Sequence, residues 1–262
     1  LVSDWSSDVC SSDLEIEHAE IKSVLSRMEE LKKFVAAKKV LQKLDRIFKF
    51  ANRNHYCKQN PVILLKDDII TPKKKNQPAL EESDLPEFLK KLDDINVYIT
   101  TKMGLRMVML TLTRTKEIRH STWDEFDLET DKPLWRIPAD RMKMNRDHIV
   151  PLSMQAVKVL KKVKRFSRGN QFVFEQQNNP QKPMSENTML YAMYRMGYHG
   201  RATVHGFRAT ASTILNEKGF RSDVIELLLA HVEKNQVRAA YNRAEYLDER
   251  RETLQWWADH LD

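Results

Sequence analysis

The segment from Val204 to Tyr241 carries the side chains best suited to chemistry on a phosphate. His205 stands three residues before Arg208, His231 follows an apolar helical run, and Tyr241 comes ten residues after that histidine. Arginine and imidazole side chains hold anions through charge-assisted hydrogen bonds. A tyrosine hydroxyl beside them is a potential nucleophile. Neither a metal-ligand spacing nor a serine triad explains this order, so the sequence favours a phosphate-handling site.

An arginine and a glutamate further upstream form a second charged motif. Arg114 ends the apolar run 105–113, and Glu117 follows three residues later. Burying a guanidinium is costly unless it is paired or holds an anion. Two interpretations therefore stay open. The Arg114–Glu117 pair either fixes a turn and nothing more, or the glutamate orients an anion-binding arginine.

Two short β-type runs, 134–138 and 148–152, predict a β-hairpin between them. Its tip presents Lys143 beside Asn145 and two arginines, Arg141 and Arg146. A lysine at a hairpin tip is most often solvated, but a flexible lysine on this basic tip can reach a scissile phosphate. The polar stretch 176–183 is predicted as a loop.

The composition bounds the partners and the cofactors. The 262 residues carry a net charge of +7 and 41% hydrophobic residues, which favours nucleic acid over a membrane as the partner, although ordinary solubility explains the charge equally well. No apolar run reaches about 18 residues, so no membrane partner is predicted.

Cys10 and Cys57 form no CxxC motif, which fits a reducing compartment. Three further histidines share no ligand spacing and are predicted as surface or hairpin residues, namely His120, His148 and His199. No metal or other cofactor is predicted, and His148 is a candidate DNA contact.

The periodicity of apolar residues predicts the domain organisation. Residues 1–14 lack any helical or strand period and are predicted as a non-native or disordered leader. Residues 15–70 show helical spacing and a lysine-rich face, which a DNA-binding domain or plain solvation explains. Residues 71–80 form a basic linker, and 81–262 a second domain. The candidate DNA-binding residues are Lys38, Lys39, Lys43, Lys73, Lys74, Lys75, Arg141 and Arg146. Two adjacent tryptophans, Trp256 and Trp257, must be buried, either on this chain's own core or on a neighbouring subunit.

The motifs taken in order resemble the tyrosine recombinase family. They are Arg114-x-x-Glu117, a hairpin lysine, His205-x-x-Arg208, Ala-His231 and Tyr241. The phrases WRIPADRMKM, HIVPLS, HGFRATAST and AHVEKNQVRAAYNRAEYL are similar to prophage and genomic-island integrases of the P4 type. The likeness covers about residues 81–262 strongly and 15–75 weakly. Each motif alone is a weak signal, whereas the ordered set is highly specific.

The resemblance implies a fold and a domain arrangement. The fold is mainly α with a small antiparallel β-sheet (α+β). A small helical core-binding domain precedes a tyrosine recombinase catalytic domain, and the two form a C-shaped clamp around a duplex. Family integrases begin with an arm-site-binding domain, which this copy is expected to lack. The subgroup usually has Gly where this chain has Lys116, and a positive φ at that position would strain a lysine.

The resemblance also implies a mechanism and a role for each residue. Tyr241 attacks a DNA phosphodiester and forms a 3′-phosphotyrosyl link, while Lys143 protonates the departing 5′ oxygen. Arg114 and Arg208 hold the non-bridging oxygens, and Glu117 orients Arg114. His205 shares the tyrosine proton, and His231 donates to a phosphate oxygen. Cations and hydrogen bonds supply the electrostatic work, so no metal is implied.

The implied function is site-specific recombination, by which a mobile element is integrated or excised. The implied partners are a double-stranded attachment site and, on DNA, three further copies that complete a homo-tetramer, with a monomer in free solution. The implied location is the bacterial cytoplasm, on the nucleoid when bound. Three alternatives stay open: a truncated, non-catalytic DNA-binding protein or regulator, a type IB topoisomerase, and Tyr246 in place of Tyr241 as the nucleophile.

Overall fold

The computed structural model describes residues 16–68, 70, 77–142, 145–231 and 245–262. The chain divides into two compact units, Leu1–Asn76 and Gln77–Asp262. The described part is mainly helical with two small antiparallel sheets, which confirms the predicted fold class. None of its helices combines the length and the apolar character needed to cross a bilayer. The leader, Lys73 to Lys75, Lys143 and Tyr241 all lie outside the described residues.

The first unit is built on two amphipathic helices, α1 (His18–Glu30) and α2 (Phe34–Arg53), followed by a 3₁₀ turn at Ile63–Leu65. Apolar residues three to four positions apart line one face of each helix, so the two faces bury a small shared core. This core contains Ile21, Leu25, Ala37, Leu41, Phe48, Val62 and Leu65.

The second unit surrounds one almost fully buried helix. Its helices are α3 (Leu85–Asp94), α4 (Ile99–Thr111), α5 (Thr115–Arg119), α6 (Met154–Phe166), α7 (Thr188–Arg195), α8 (Gly206–Glu217), α9 (Ser222–Leu228) and α10 (Leu247–Leu261). The α4 helix is apolar on most of its circumference, and α6, α7, α8 and α10 contact it. A helix that is apolar all round must lie in the core. Its two ends therefore hold fixed positions inside the unit.

Short strands cover one side of this core. The strands β1 (Phe126–Asp127), β2 (Leu134–Ile137) and β3 (His148–Pro151) form an antiparallel meander. Leu134 pairs with Pro151 and Ile137 with His148, so the predicted hairpin is confirmed. A second hairpin joins β4 (Glu175–Gln176) and β5 (Asn179–Pro183). The loop prediction for 176–183 was therefore wrong, because this polar stretch pairs through its backbone without any apolar alternation to signal a strand.

The C-terminal helix α10 docks on its own unit. Trp257 is 1% exposed, and its indole N–H donates to the Met109 carbonyl of α4 at 2.8 Å. Leu254, Ala258 and Leu261 are buried beside it. The open question about the tryptophan pair is thus settled for Trp257, which packs in this chain's own core.

Candidate active site

The first part of the site is the turn between α4 and α5. Leu112 ends α4 in the left-handed conformation, with φ 56° and ψ 19°. This turn places Arg114 at the N-cap of α5. The Arg114 backbone N–H donates to Glu117 Oε2 at 2.6 Å, and its Nη1 donates to Glu117 Oε1 at 2.9 Å. Glu117 is 3% exposed, so one buried carboxylate both caps the helix and orients the guanidinium.

Lys116 creates no backbone strain in this turn. It lies inside α5, and it is absent from the positive-φ residues among those that the structure describes. A helical backbone accepts any straight side chain at this position. The glycine usual in the subgroup is therefore not a conformational requirement here.

The second arginine comes from the first turn of α8. Arg208 is 4% exposed, and its guanidinium donates to the carbonyls of Leu112 and Leu229. Burial, and after it the nearby charge of Arg114, lower the pKa of Arg208 to about 10. The guanidinium therefore stays charged at neutral pH, held between the end of α4 and the end of α9.

The carboxyl end of α9 joins the two arginines. Ala230 terminates this helix with φ 46°, a left-handed residue of the kind that turns a chain out of a helix. Arg208 donates to the Leu229 carbonyl, and Arg114 Nη2 donates to the Ala230 carbonyl at 3.1 Å. Two consecutive carbonyls thus hold two guanidiniums side by side. Only one buried carboxylate, Glu117, pairs with them among the described residues, which leaves an excess of positive charge.

His231 lies against Arg208 and has a defined tautomer. Its Nε2 is 3.3 Å from Arg208 Nη2, and its Nδ1 is 2.7 Å from Glu226 Oε2. Arginine only donates hydrogen bonds, so Nε2 must accept and Nδ1 must carry the proton that it gives to Glu226. Sequence analysis missed Glu226. The available signal was a carboxylate five residues before the histidine, across a helix end.

His205 is the residue before α8, and its backbone carbonyl accepts the Arg208 N–H at 3.2 Å. Partial burial lowers the pKa of the His205 imidazole, and the charges of Arg208, Arg114 and His231 lower it further. At neutral pH the imidazole is therefore uncharged and able to accept a proton. Of the residues predicted to act in catalysis, the five that the structure describes lie in one region: Arg114, Glu117, His205, Arg208 and His231.

His148 lies in the predicted hairpin, but it is not at the surface. It begins β3 but is 8% exposed, and its Nε2 has no hydrogen-bond partner among the described residues. Burial lowers the pKa of His148 to about 3, and the charges of Arg250, Arg114 and Arg208 add to this effect. The sequence did not predict this burial, because the docking of α10, which brings Arg250 over β3, leaves no local sequence signal.

Acidification is expected to destabilise the second unit through His148. Its pKa is about 3 in the folded chain against 6.5 when unfolded, so the unfolded state binds more protons between these values. The stability is complete above about pH 6.5 and falls by about 1.4 kcal/mol per pH unit below it. We expect a loss of about 2 kcal/mol from this residue between pH 7 and pH 5. Urea unfolding followed by tryptophan fluorescence at both pH values measures it.

The matched variants for this measurement are His148→Gln and His199→Gln. The first removes the titrating group, so the acid destabilisation should shrink by the same amount. The second changes an exposed histidine of the same unit and should leave the pH dependence as in the wild type. Equal slopes for His148→Gln and the wild type would rule out this origin of the acid sensitivity.

The candidate DNA-binding residues differ in how much of their side chains is exposed to solvent. Arg141 is 19% exposed, because its guanidinium bonds Glu125 and the His120 carbonyl. It therefore serves the packing of the second unit. Arg146 is exposed, 4.0 Å from Glu245. On α2, Lys39 and Lys43 are exposed four residues apart on one face, and Lys38 is half-buried.

Tyr246, the alternative nucleophile, is engaged elsewhere. It precedes α10 with φ 43°, and the Arg221 guanidinium lies 4.6 Å from its ring centroid. The same guanidinium pairs with Asp223 and Glu249. Tyr246 thus belongs to a surface cluster that joins the start of α9 to the start of α10.

The chain belongs to the phage integrase family, whose model matches residues 78–247. The family predicted from the motifs is thereby confirmed. The prophage integrase IntA of Escherichia coli strain K12 is 39% identical over 85% of this chain and 53% of its own length. The integrase of Enterobacteria phage P4 is 38% identical over 96% of this chain and 61% of its own length. The chain thus spans between half and two-thirds of these two relatives.

Solved structures share the fold at low sequence identity. A lambda integrase (75-356) dimer bound to a COC′ core site superposes with a TM-score of 0.66 at 16% identity, covering 84% of this chain and 81% of that one. The Tn1549 transposon integrase (aa 82-397) in complex with circular intermediate DNA gives 0.62 at 17% identity, covering 88% and 82%. This likeness establishes the fold of the described units.

Proposed function

We propose that this chain is a site-specific DNA recombinase that cuts and rejoins DNA through a 3′-phosphotyrosyl intermediate. One observation carries the proposal: Arg114 and Arg208 bond to the consecutive carbonyls Ala230 and Leu229. Two adjacent guanidiniums, with Glu117 as the one buried carboxylate that pairs with them in the described part of the chain, suit a phosphate. The relatives named integrases, and the integrase structures that contain DNA, support DNA as the source of that phosphate.

The chemistry follows from the charge of the reacting phosphorus. As Tyr241 attacks, the non-bridging oxygens of the pentacoordinate phosphorane gain negative charge, which Arg114 and Arg208 stabilise with bidentate donors. The phenol proton passes to a base, for which the uncharged His205 is suited. The bond to the 5′ oxygen breaks, and Lys143 protonates that oxygen. His231 accepts from Arg208 in the absence of a phosphate, and on protonation its Nε2 can donate to a phosphate oxygen.

The partner and the assembly extend this proposal. Residues 15–70 act as a core-binding domain through Lys39 and Lys43, residues 71–80 as a basic linker with Lys73 to Lys75, and 81–262 as the catalytic domain. The substrate is a double-stranded attachment site, on which four copies assemble, as the lambda integrase tetramer does on a Holliday junction. The proposed location is the bacterial cytoplasm, with the protein on the nucleoid when bound. The reaction is the integration or excision of a mobile element.

A covalent-trapping experiment tests the activity. Duplexes bound by the protein are first selected from a pool with a random central sequence, and nicked versions of the selected duplexes are then synthesised. A nick next to the cleavage site releases a short strand, so the covalent intermediate cannot be resealed. We expect a protein–DNA band that survives denaturation. Selected duplexes that bind but yield no such band would favour the non-catalytic alternative.

Lys143→Ala is expected to slow cleavage by about 10²-fold, because an unprotonated alkoxide is a poor leaving group. A substrate with sulfur at the bridging 5′ position releases a thiolate, which needs no proton. On that substrate Lys143→Ala should cleave at nearly the wild-type rate. Arg146→Ala, which removes an exposed cation of the same hairpin, is the control and should show no sulfur rescue. A Lys143→Ala defect that persists with sulfur would exclude the general-acid role.

A further inference from the structure

A short backbone segment, residues 77–80, lies across the first turn of α8. We name it the strap. The Pro78 carbonyl accepts the Thr203 amide N–H at 3.1 Å, and the Leu80 carbonyl accepts the Thr210 hydroxyl at 2.7 Å. Leu80 itself is buried in the main core. The second unit thus begins at Gln77, four residues before the boundary predicted at residue 81.

Gly206 is required by the close approach of this strap. A Cβ atom at this position would lie 2.3 Å from the Pro78 carbonyl oxygen and 3.0 Å from Ala79 Cα. Both obstacles are backbone atoms, so neither can rotate away as a side chain would. Gly206 has an ordinary helical φ, unlike the positive-φ glycines. The glycine therefore serves contact between two backbones and not an unusual conformation.

The strap contacts the part of α8 that carries the site. Gly206 lies between His205 and Arg208, and its N–H donates to the Thr203 hydroxyl at 3.1 Å. Gln77 of the strap and His205 line the same open cavity of about 420 Å³, together with Thr115, the neighbour of Arg114. The backbone position of the strap and the position of the imidazole are therefore linked through the α8 turn.

We infer that the strap is a positioning element, which seats the first turn of α8 and so aims His205 and Arg208 at the phosphate. This inference rests on the proposed function, because it assigns the strap a part in DNA cleavage. The strap is not proposed to touch the phosphate or the reacting atoms. It acts through the side chains of His205 and Arg208. One methyl group added at Gly206 would break the contact between the strap and α8.

The decisive variant is Gly206→Ala. Alanine forms helices better than glycine, so helix propensity alone predicts no loss. If the strap positions α8, single-turnover cleavage at saturating DNA should slow about 10- to 100-fold. The half-saturating DNA concentration should stay unchanged, because displacing catalytic groups lowers the rate of the chemical step more than the affinity for DNA. The Thr203 amide should exchange faster with deuterium, and the pKa of His205 should rise towards its ordinary value. Thr213→Ala on the exposed face of the same helix is the control and should match the wild type.

A second pair of variants serves if Gly206→Ala does not fold. Thr210→Val removes the bond to the Leu80 carbonyl at nearly constant volume, whereas Thr210→Ser retains the hydroxyl. We expect slower cleavage for valine and near wild-type cleavage for serine. Rapid Thr203 exchange without slower cleavage would overturn the inference, as would slower cleavage with the amide still protected. A wild-type chain that never cleaves contradicts the proposed function instead, and the His205 titration then still tests whether the strap positions the imidazole.

Discussion

Tyr241→Phe is expected to abolish the covalent protein–DNA adduct, with a loss of at least about 10⁴-fold in cleavage rate. Phenylalanine lacks the only oxygen proposed to form the ester with phosphorus, and no other group in the proposed mechanism replaces it. DNA binding should persist, because one hydroxyl contributes little beside the phosphate contacts of the basic side chains. Denaturing gels with the nicked duplex measure the adduct, and gel shifts with the intact duplex measure binding.

Tyr246→Phe is the matched control for this substitution. The Tyr246 ring lies beside Arg221, within a cluster that also holds Glu249, so its loss should leave the adduct in place. The reverse result, in which the adduct disappears with Tyr246→Phe and survives Tyr241→Phe, would make Tyr246 the nucleophile. Binding that survives both substitutions, combined with no adduct in the wild type, is the result expected of a regulator.

Arg208→Lys is expected to reduce cleavage by about 10²- to 10³-fold, the usual effect of losing one preorganised donor to a developing anion. The guanidinium bonds two carbonyls, of Leu112 and Leu229, and contacts His231 as well. A lysine ammonium is a single point on a flexible stem and cannot span these partners while it faces a phosphate. The expected loss is therefore in the rate at saturating DNA and much less in binding.

Arg221→Lys is the control for Arg208→Lys, because Arg221 makes its ion pairs at the surface. It should cleave at nearly the wild-type rate. Arg208→Lys also leaves buried carbonyls with fewer donors, at a cost of about 1–3 kcal/mol. Thermal unfolding of each variant separates that cost from the catalytic one. An Arg208→Lys protein that cleaves normally would remove the two-arginine site from the proposal.

Much of the fold follows from local pattern. The apolar face of α2 and the largely apolar α4 are predictable because helix periodicity is a property of neighbouring residues. The β2–β3 hairpin is also predictable, because its two short β-type runs, 134–138 and 148–152, are likewise a pattern of neighbouring residues. The β4–β5 hairpin is not, since backbone pairing of polar residues leaves no periodic signal. Arg141 shows the same limit at a side chain, because its partner Glu125 belongs to a different segment.

The sequence by itself determined the family, the mainly helical class and the identity of the candidate residues, because their order along the chain is specific. Only the tertiary structure decided that the ends of α4 and α9 meet at Arg208 and that His148 is buried. It alone showed the strap against Gly206. These features join segments far apart in the chain, and such contacts depend on how helices pack, which neighbouring residues do not encode.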